Sequence, residues 1–116
     1  MPGRPLGALL AATAAAAGAG APVCHADTVA YLVNVTVRPG YNFADANAAL
    51  AYGHRVCDRV AQGGGFPRLV GEVMADFSSS EEYQATYLIS QAVNELCPQL
   101  IWQLRNSAAH YTGLPS

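Results

Sequence analysis

The chain has 116 residues, 52% of them hydrophobic, with six arginines, no lysine and eight acidic residues for a net charge of −2. That length holds one small domain. With no clustered basic face it is not built to bind nucleic acid, and its charge gives no pull toward anionic lipid.

The first 26 residues read as an export signal rather than as part of the fold. Arg4 supplies a positive n-region, and "LGALLAATAAAA" is an apolar stretch of h-region length, too short and too alanine-rich for a membrane span. "APVCHADT" offers Cys24 and Ala26 as small residues before a cut between Ala26 and Asp27. Lipidation at Cys24 would want a small residue before the cysteine and leucine two places earlier, where Val23 and Ala21 stand. The expected organisation is a signal peptide over 1–26, a helical domain over 27–106 and a flexible tail over 107–116. Removing the signal leaves 90 residues with five arginines against eight acids, net −3.

Residues 28–37, "TVAYLVNVTV", fit two elements. Val29, Tyr31, Val33, Val35 and Val37 alternate as in a strand, and β-branched residues favour that reading. Val29, Leu32, Val33 and Val37 also fit a helical stripe capped by Asp27 or Thr28. The composition leans slightly to strand. Pro39 and Gly40 then make a turn.

The remainder reads as helix. Between Asp45 and about Gln62, Leu50, Gly53, Cys57 and Val60 recur at helical spacing, and Gly63, Gly64 and Gly65 end the run. Pro67 suits the first turn of a further helix whose apolar face is Leu69, Val70, Val73, Met74 and Phe77. Ser79 with Glu82 has the spacing of a capping box. The helix after it carries Ala85, Leu88, Ile89, Ala92, Val93 and Leu96 on one face. Beyond Pro98, "QLIWQLR" supports one or two more turns, with Leu100, Ile101 and Leu104 inward and Trp102 as the expected anchor to the core.

Cys57 and Cys97 are the two cysteines left after the signal, an even count in a small exported domain. Each extends the buried face of its helix, so a bridge between them is expected. Gly53, one turn before Cys57, lets a neighbouring backbone come close.

"AALAYGHRVCDRVAQGG" and "ISQAVNELCP", with "DTVAYL" near the expected mature start, resemble the domain-of-unknown-function 732 family, small exported proteins of mycobacteria and their relatives. The matching positions are Gly53, Cys57 and the glycine after that helix, then Ala92, Val93, Cys97 and Pro98. The resemblance implies a compact all-helical domain with one Cys57–Cys97 disulfide, and it tips residues 28–37 toward helix. It supplies no activity. The expected fold is thus an all-α, disulfide-tied bundle of about four helices.

Other chemistry finds little support. His54 and Cys57 have the spacing of a nucleophilic pair, but Cys57 faces inward and has Cys97 to bond. His54, Cys57, Cys97 and His110 lack the close ligand pairs of a structural zinc site. The six tyrosines, 31, 41, 52, 83, 87 and 111, could ligate or stack on a haem, yet no spacing singles one out. Glu81 and Glu82 suit a helix first turn, and Asp58 lies on a solvated face between Arg55 and Arg59. The three glycines lack the residues of a phosphate loop, and Ser78 to Ser80 lack a nucleophile's context. The expected function is a non-enzymatic binding module of the envelope or secretome, without cofactor, whose partner is a protein or envelope component. The alternative is a carrier of haem or an apolar ligand lined by Met74, Phe77 and Tyr87. A small hydrolase using His54 and Asp76 ranks last.

Overall fold

A computed structural model describes residues 26–111, so the expected leader, with Cys24, and residues 112–116 lie outside the described part. Five helices run in order: α1 Thr28–Thr36, α2 Ala46–Ala61, α3 Phe66–Asp76, α4 Glu82–Leu96 and α5 Ile101–Ser107, with a 3-10 turn at Pro98–Leu100 before α5. No strand occurs among the described residues. None of these helices is long and apolar enough to cross a membrane.

The composition-based lean of residues 28–37 toward strand is therefore overturned, and the helix implied by the family resemblance is what forms. Asp27 starts α1 by accepting the Ala30 N–H at 2.9 Å, and its own N–H bonds the Glu95 carbonyl near the end of α4. Gly40, at φ 114°, turns the chain after α1, and a Cβ there would overlap the Gln84 amide. Asp45 caps α2 through Ala48 N–H at 2.8 Å. α2 ends as the glycine run predicts. Gly63, at φ 93°, gives its N–H to Val60, and Gly64 gives its own to Arg59. That pairing is the Schellman closure.

Two sequence expectations fail at helix ends. α3 closes in the same way with Ser78 in the left-handed position (φ 49°), its N–H on Ala75 and the Ser79 N–H on Met74. Ser79 is thereby tied to the end of α3. Its hydroxyl accepts only the Glu81 N–H, and α4 begins at Glu82 without a side-chain cap. The capping box does not form. Trp102 is 70% exposed, with the Arg105 guanidinium 5.3 Å over its ring, because it lies two residues from inward-facing Leu104. Two residues on a helix are about 200° apart. Leu104 and the Gln103 amide, which bonds Val60 O, hold α5 instead.

α4 is the central helix and packs against α1, α2 and α3. Its Leu88, Ile89, Ala92 and Val93 are fully buried beside Tyr31, Val56, Val60 and Val70. Packing continues past residue 106. Ser107 Oγ accepts the Phe66 N–H at 3.0 Å, Tyr111 sets its ring edge-on to Phe66, and the Tyr111 hydroxyl bonds Glu82. Residues 107–111, expected to begin a tail, thus pack on the N-terminal starts of α3 and α4.

Candidate functional site

Cys57 on α2 and Cys97 at the end of α4 form a disulfide with a Cα–Cα distance of 6.1 Å, both residues being buried. The helix faces read from the sequence bring these two side chains together. The bridge closes a separation of 40 residues, and neither sulfur is a nucleophile or a metal ligand. His54, one turn before Cys57, is exposed. Among the described residues no three His, Cys, Asp or Glu side chains gather as a metal site.

The tyrosines considered for a haem or a stacking platform are committed to other contacts. Tyr31 is fully buried where α1 crosses α2, and its hydroxyl donates to the Ala49 carbonyl at 2.8 Å. Tyr41 donates to Gln84 O at 2.5 Å, and Tyr52 to the Asp76 carboxylate at 2.8 Å. Burial raises all three phenols; Tyr41 reaches about 12 against the opposing pull of Arg38, and the Asp76 hydrogen bond adds to the rise at Tyr52. Tyr83 and Tyr87 flank the Arg38 guanidinium at 4.9 and 4.2 Å. Asp76 is engaged by Tyr52 and His54 stands exposed, so the two groups of the hydrolase reading each have a different setting. Arg59, read as part of a solvated cluster with Asp58, bonds Glu72 on α3 at 2.9 Å instead.

The proposed ligand lining behaves like core. Met74 and Phe77 border, with Tyr41 and Gln84, a cavity of only about 40 Å³, and Phe77 is locked among the rings of Tyr41, Phe43 and Tyr52. Ligand sites run to roughly 300–1,000 Å³. Tyr87 lies apart, against Arg38.

The surface that stands out is on α1. Val29, Val33 and Val37 are 70%, 51% and 74% exposed, one turn apart, on the side of the helix away from fully buried Tyr31 and Val35. Thr36 beside them turns its hydroxyl back to the Leu32 carbonyl at 2.7 Å. No charged residue occurs between Asp27 and Arg38. Along this face a groove of about 550 Å³ runs to Phe43 and Ala46, and only Arg38 and Asp45 among its lining residues carry charge. The helical reading of the sequence put these valines with Leu32 in the apolar stripe, but Tyr31 and Val35 enter the core and the three valines face out.

The fold and this surface define a class: a small all-helical domain, clamped by one buried disulfide between α2 and α4, with an apolar outer helix. The chain belongs to the DUF732 family, described as proteins of unknown function, which matches residues 26–99. Helix α5 and the Tyr111 contact lie beyond the match. Comparison with curated proteins and with solved structures returns no match.

Proposed function

We propose that this chain is exported and acts as a non-enzymatic binding module of the cell envelope or secretome, meeting its partner with the outer face of α1. Export rests on the composition of residues 1–26, and a buried disulfide suits an oxidising compartment. The observation that carries the binding surface is the Val29, Val33, Val37 row. A helix apolar on two sides ordinarily has both sides covered, and contiguous exposed apolar surface marks an interaction site. A partner seated there buries three stiff β-branched side chains at small cost in rotamer entropy. The 40 Å³ interior cavity weighs against the carrier reading.

A photo-reactive phenylalanine analogue at position 33, compared with one at exposed Arg68 on α3, tests this in the producing cell. Discrete adducts from position 33 alone are expected. No adducts, or the same set from both positions, overturns the reading.

A further inference from the structure

Arg38 differs from every other arginine among the described residues. Arg59 and Arg68 share the Glu72 carboxylate, and Arg55 and Arg105 are exposed. Arg38 is half-buried, and no described carboxylate lies within ion-pair distance of it. A charge withdrawn from water ordinarily has a counter-charge. Arg38 has a rigid frame in place of one. Its guanidinium lies over the rings of Tyr87 and Tyr83 at 4.2 and 4.9 Å, and its Nε donates to Gln84 Oε1 at 2.8 Å. The Gln84 Nε2 donates in turn to the Pro39 carbonyl at 2.7 Å, and Tyr41 holds the Gln84 backbone carbonyl. Gly40 leaves room for this bridge, since a Cβ there would overlap the Gln84 amide. The guanidinium is thus oriented in advance. Its two Nη atoms carry four further N–H donors, with the Tyr41 hydroxyl beside them.

Arg38, Pro39, Glu81, Tyr83 and Gln84 line one open space of about 320 Å³, at the lower end of the range for ligand sites. We propose that this space binds an acidic saccharide, with its oxyanion on Arg38, a ring against Tyr83 and hydroxyls on Glu81. The site is separate from the Val29, Val33, Val37 row and does not rest on it.

The lining selects that chemistry. The planar fork of an arginine matches a carboxylate or phosphate group with two parallel hydrogen bonds. Tyr83 touches Arg38 and is still 65% exposed, so most of its amphipathic ring is open to a ligand. A sugar ring has an apolar C–H face for such a surface and a hydroxylated rim for polar neighbours. Glu81 is exposed and, ionised, only accepts hydrogen bonds, so it takes hydroxyl donors and repels a second anion. That contrast points the acid of the ligand toward Arg38. An apolar ligand would leave the guanidinium and the carboxylate unpaired. An acidic peptide would bring carboxylates to Glu81 where a sugar brings hydroxyls. No basic neighbour among the lining residues continues the charge past Arg38, so a nucleic acid backbone fits worse.

Amide, arginine Nε–H and tyrosine-ring NMR spectra of the purified protein, titrated at fixed ionic strength, test the site. The probes are trigalacturonate, neutral maltotriose and triglutamate. Trigalacturonate is expected to shift Arg38, Tyr83 and Gln84 with a dissociation constant of about 0.1–1 mM, at least about tenfold tighter than the other two. Arg38→Gln should weaken it at least about tenfold, and Tyr83→Ala about two- to tenfold. Tyr83→Phe should bind as the natural protein does. Arg105→Gln is the control, because Arg105 also lies over an exposed aromatic ring, that of Trp102. It should change nothing. Thermal melting separates loss of ligand from loss of fold in Arg38→Gln, and Tyr83→Ala, at an exposed side chain, carries the test if that variant unfolds. No shifts at these residues at ~10 mM trigalacturonate overturn the proposal. Equal binding of maltotriose, binding of triglutamate as tight, or an equal loss in Arg105→Gln also overturns it. None of these results bears on Val33 cross-linking, so the outer-face reading of α1 is judged apart.

Discussion

Replacing Cys57 with alanine is expected to lower stability by about 4 kcal/mol and the melting temperature by about 20 °C. The disulfide closes 40 residues of chain, and the freed loop regains its entropy in the unfolded state. Typical net stability is only ~5–15 kcal/mol, so the bond accounts for a large share of what holds so small a domain folded. The bridge ties α2 to α4, where Cys57 neighbours buried Val56 and Val60, and Cys97 follows buried Leu96. Thermal unfolding followed by circular dichroism measures it, with alkylation and intact mass as the chemical check. The protein cut after Ala26, and so without Cys24, should take up no alkylating agent without reductant, even when unfolded. The variant, cut likewise, should take up one equivalent, at Cys97. A melting temperature within a few degrees of the natural protein, or two equivalents on the unreduced cut protein, contradicts the disulfide as the clamp.

The second large effect is at Gly53, where helix propensity and packing have opposite signs. An alanine in mid-helix is worth roughly 1 kcal/mol over glycine by propensity alone. A Cβ at position 53, however, would lie 2.5 Å from Leu96 Cδ1 and 2.7 Å from Tyr31 Cζ. Tyr31 cannot swing aside readily: it is fully buried and its hydroxyl is bonded to Ala49 on the same helix. Overpacking costs about 1–3 kcal/mol, so Gly53→Ala should come out destabilised by about 1 kcal/mol. Gly53→Val, with two more methyl groups and a smaller propensity gain, should lose about 3 kcal/mol or more. Urea unfolding gives both numbers. Gly53→Ala more stable than the natural protein would show that α1 and α4 do not press on α2 there.

Gly53 and the two cysteines were legible in the sequence because their helices each bury one face and end on strong punctuation. Gly63 and Pro67 bracket the α2–α3 turn where the pattern puts it. Helix α1 was not legible from its composition, and the reason is physical. Residues two apart lie about 200° apart on a helix, so an alternating apolar run that covers one face of a strand covers two opposite sides of a helix. Val29, Tyr31, Val33, Val35 and Val37 do the latter: Tyr31 and Val35 enter the core while the three others face out. The strand-like pattern and the exposed valine row are the same fact. The family resemblance, carried by the cysteine motifs and by "DTVAYL" at the start of the element itself, assigned helix where the composition leaned to strand. What the alternation could not convey is which side the bundle covers, since that depends on α4 and on the Asp27 to Glu95 contact.

Ser79 and Trp102 were misread for a different reason. Each has a residue type suited to the role expected of it, but a neighbour decides: Ser78 closes α3 and takes Ser79 with it, and Leu104 claims the inner side of α5. Tyr111 was missed because a lone aromatic in an aperiodic segment gives no signal until Phe66 is beside it.

Nine valines among residues 26–111 divide into an outer set and a buried set, and that division permits one decisive measurement. Val29, Val33 and Val37 are exposed, whereas Val35, Val56, Val60, Val70, Val73 and Val93 are buried. Valine-methyl NMR spectra of the protein, recorded alone and with the envelope fraction of the producing cell, report on both sets at once. The outer face of α1 as the binding surface predicts shifts or broadening at Val29, Val33 and Val37, with the six core residues unmoved. Movement of the core methyls with the outer three unchanged would place the ligand between the helices and contradict it.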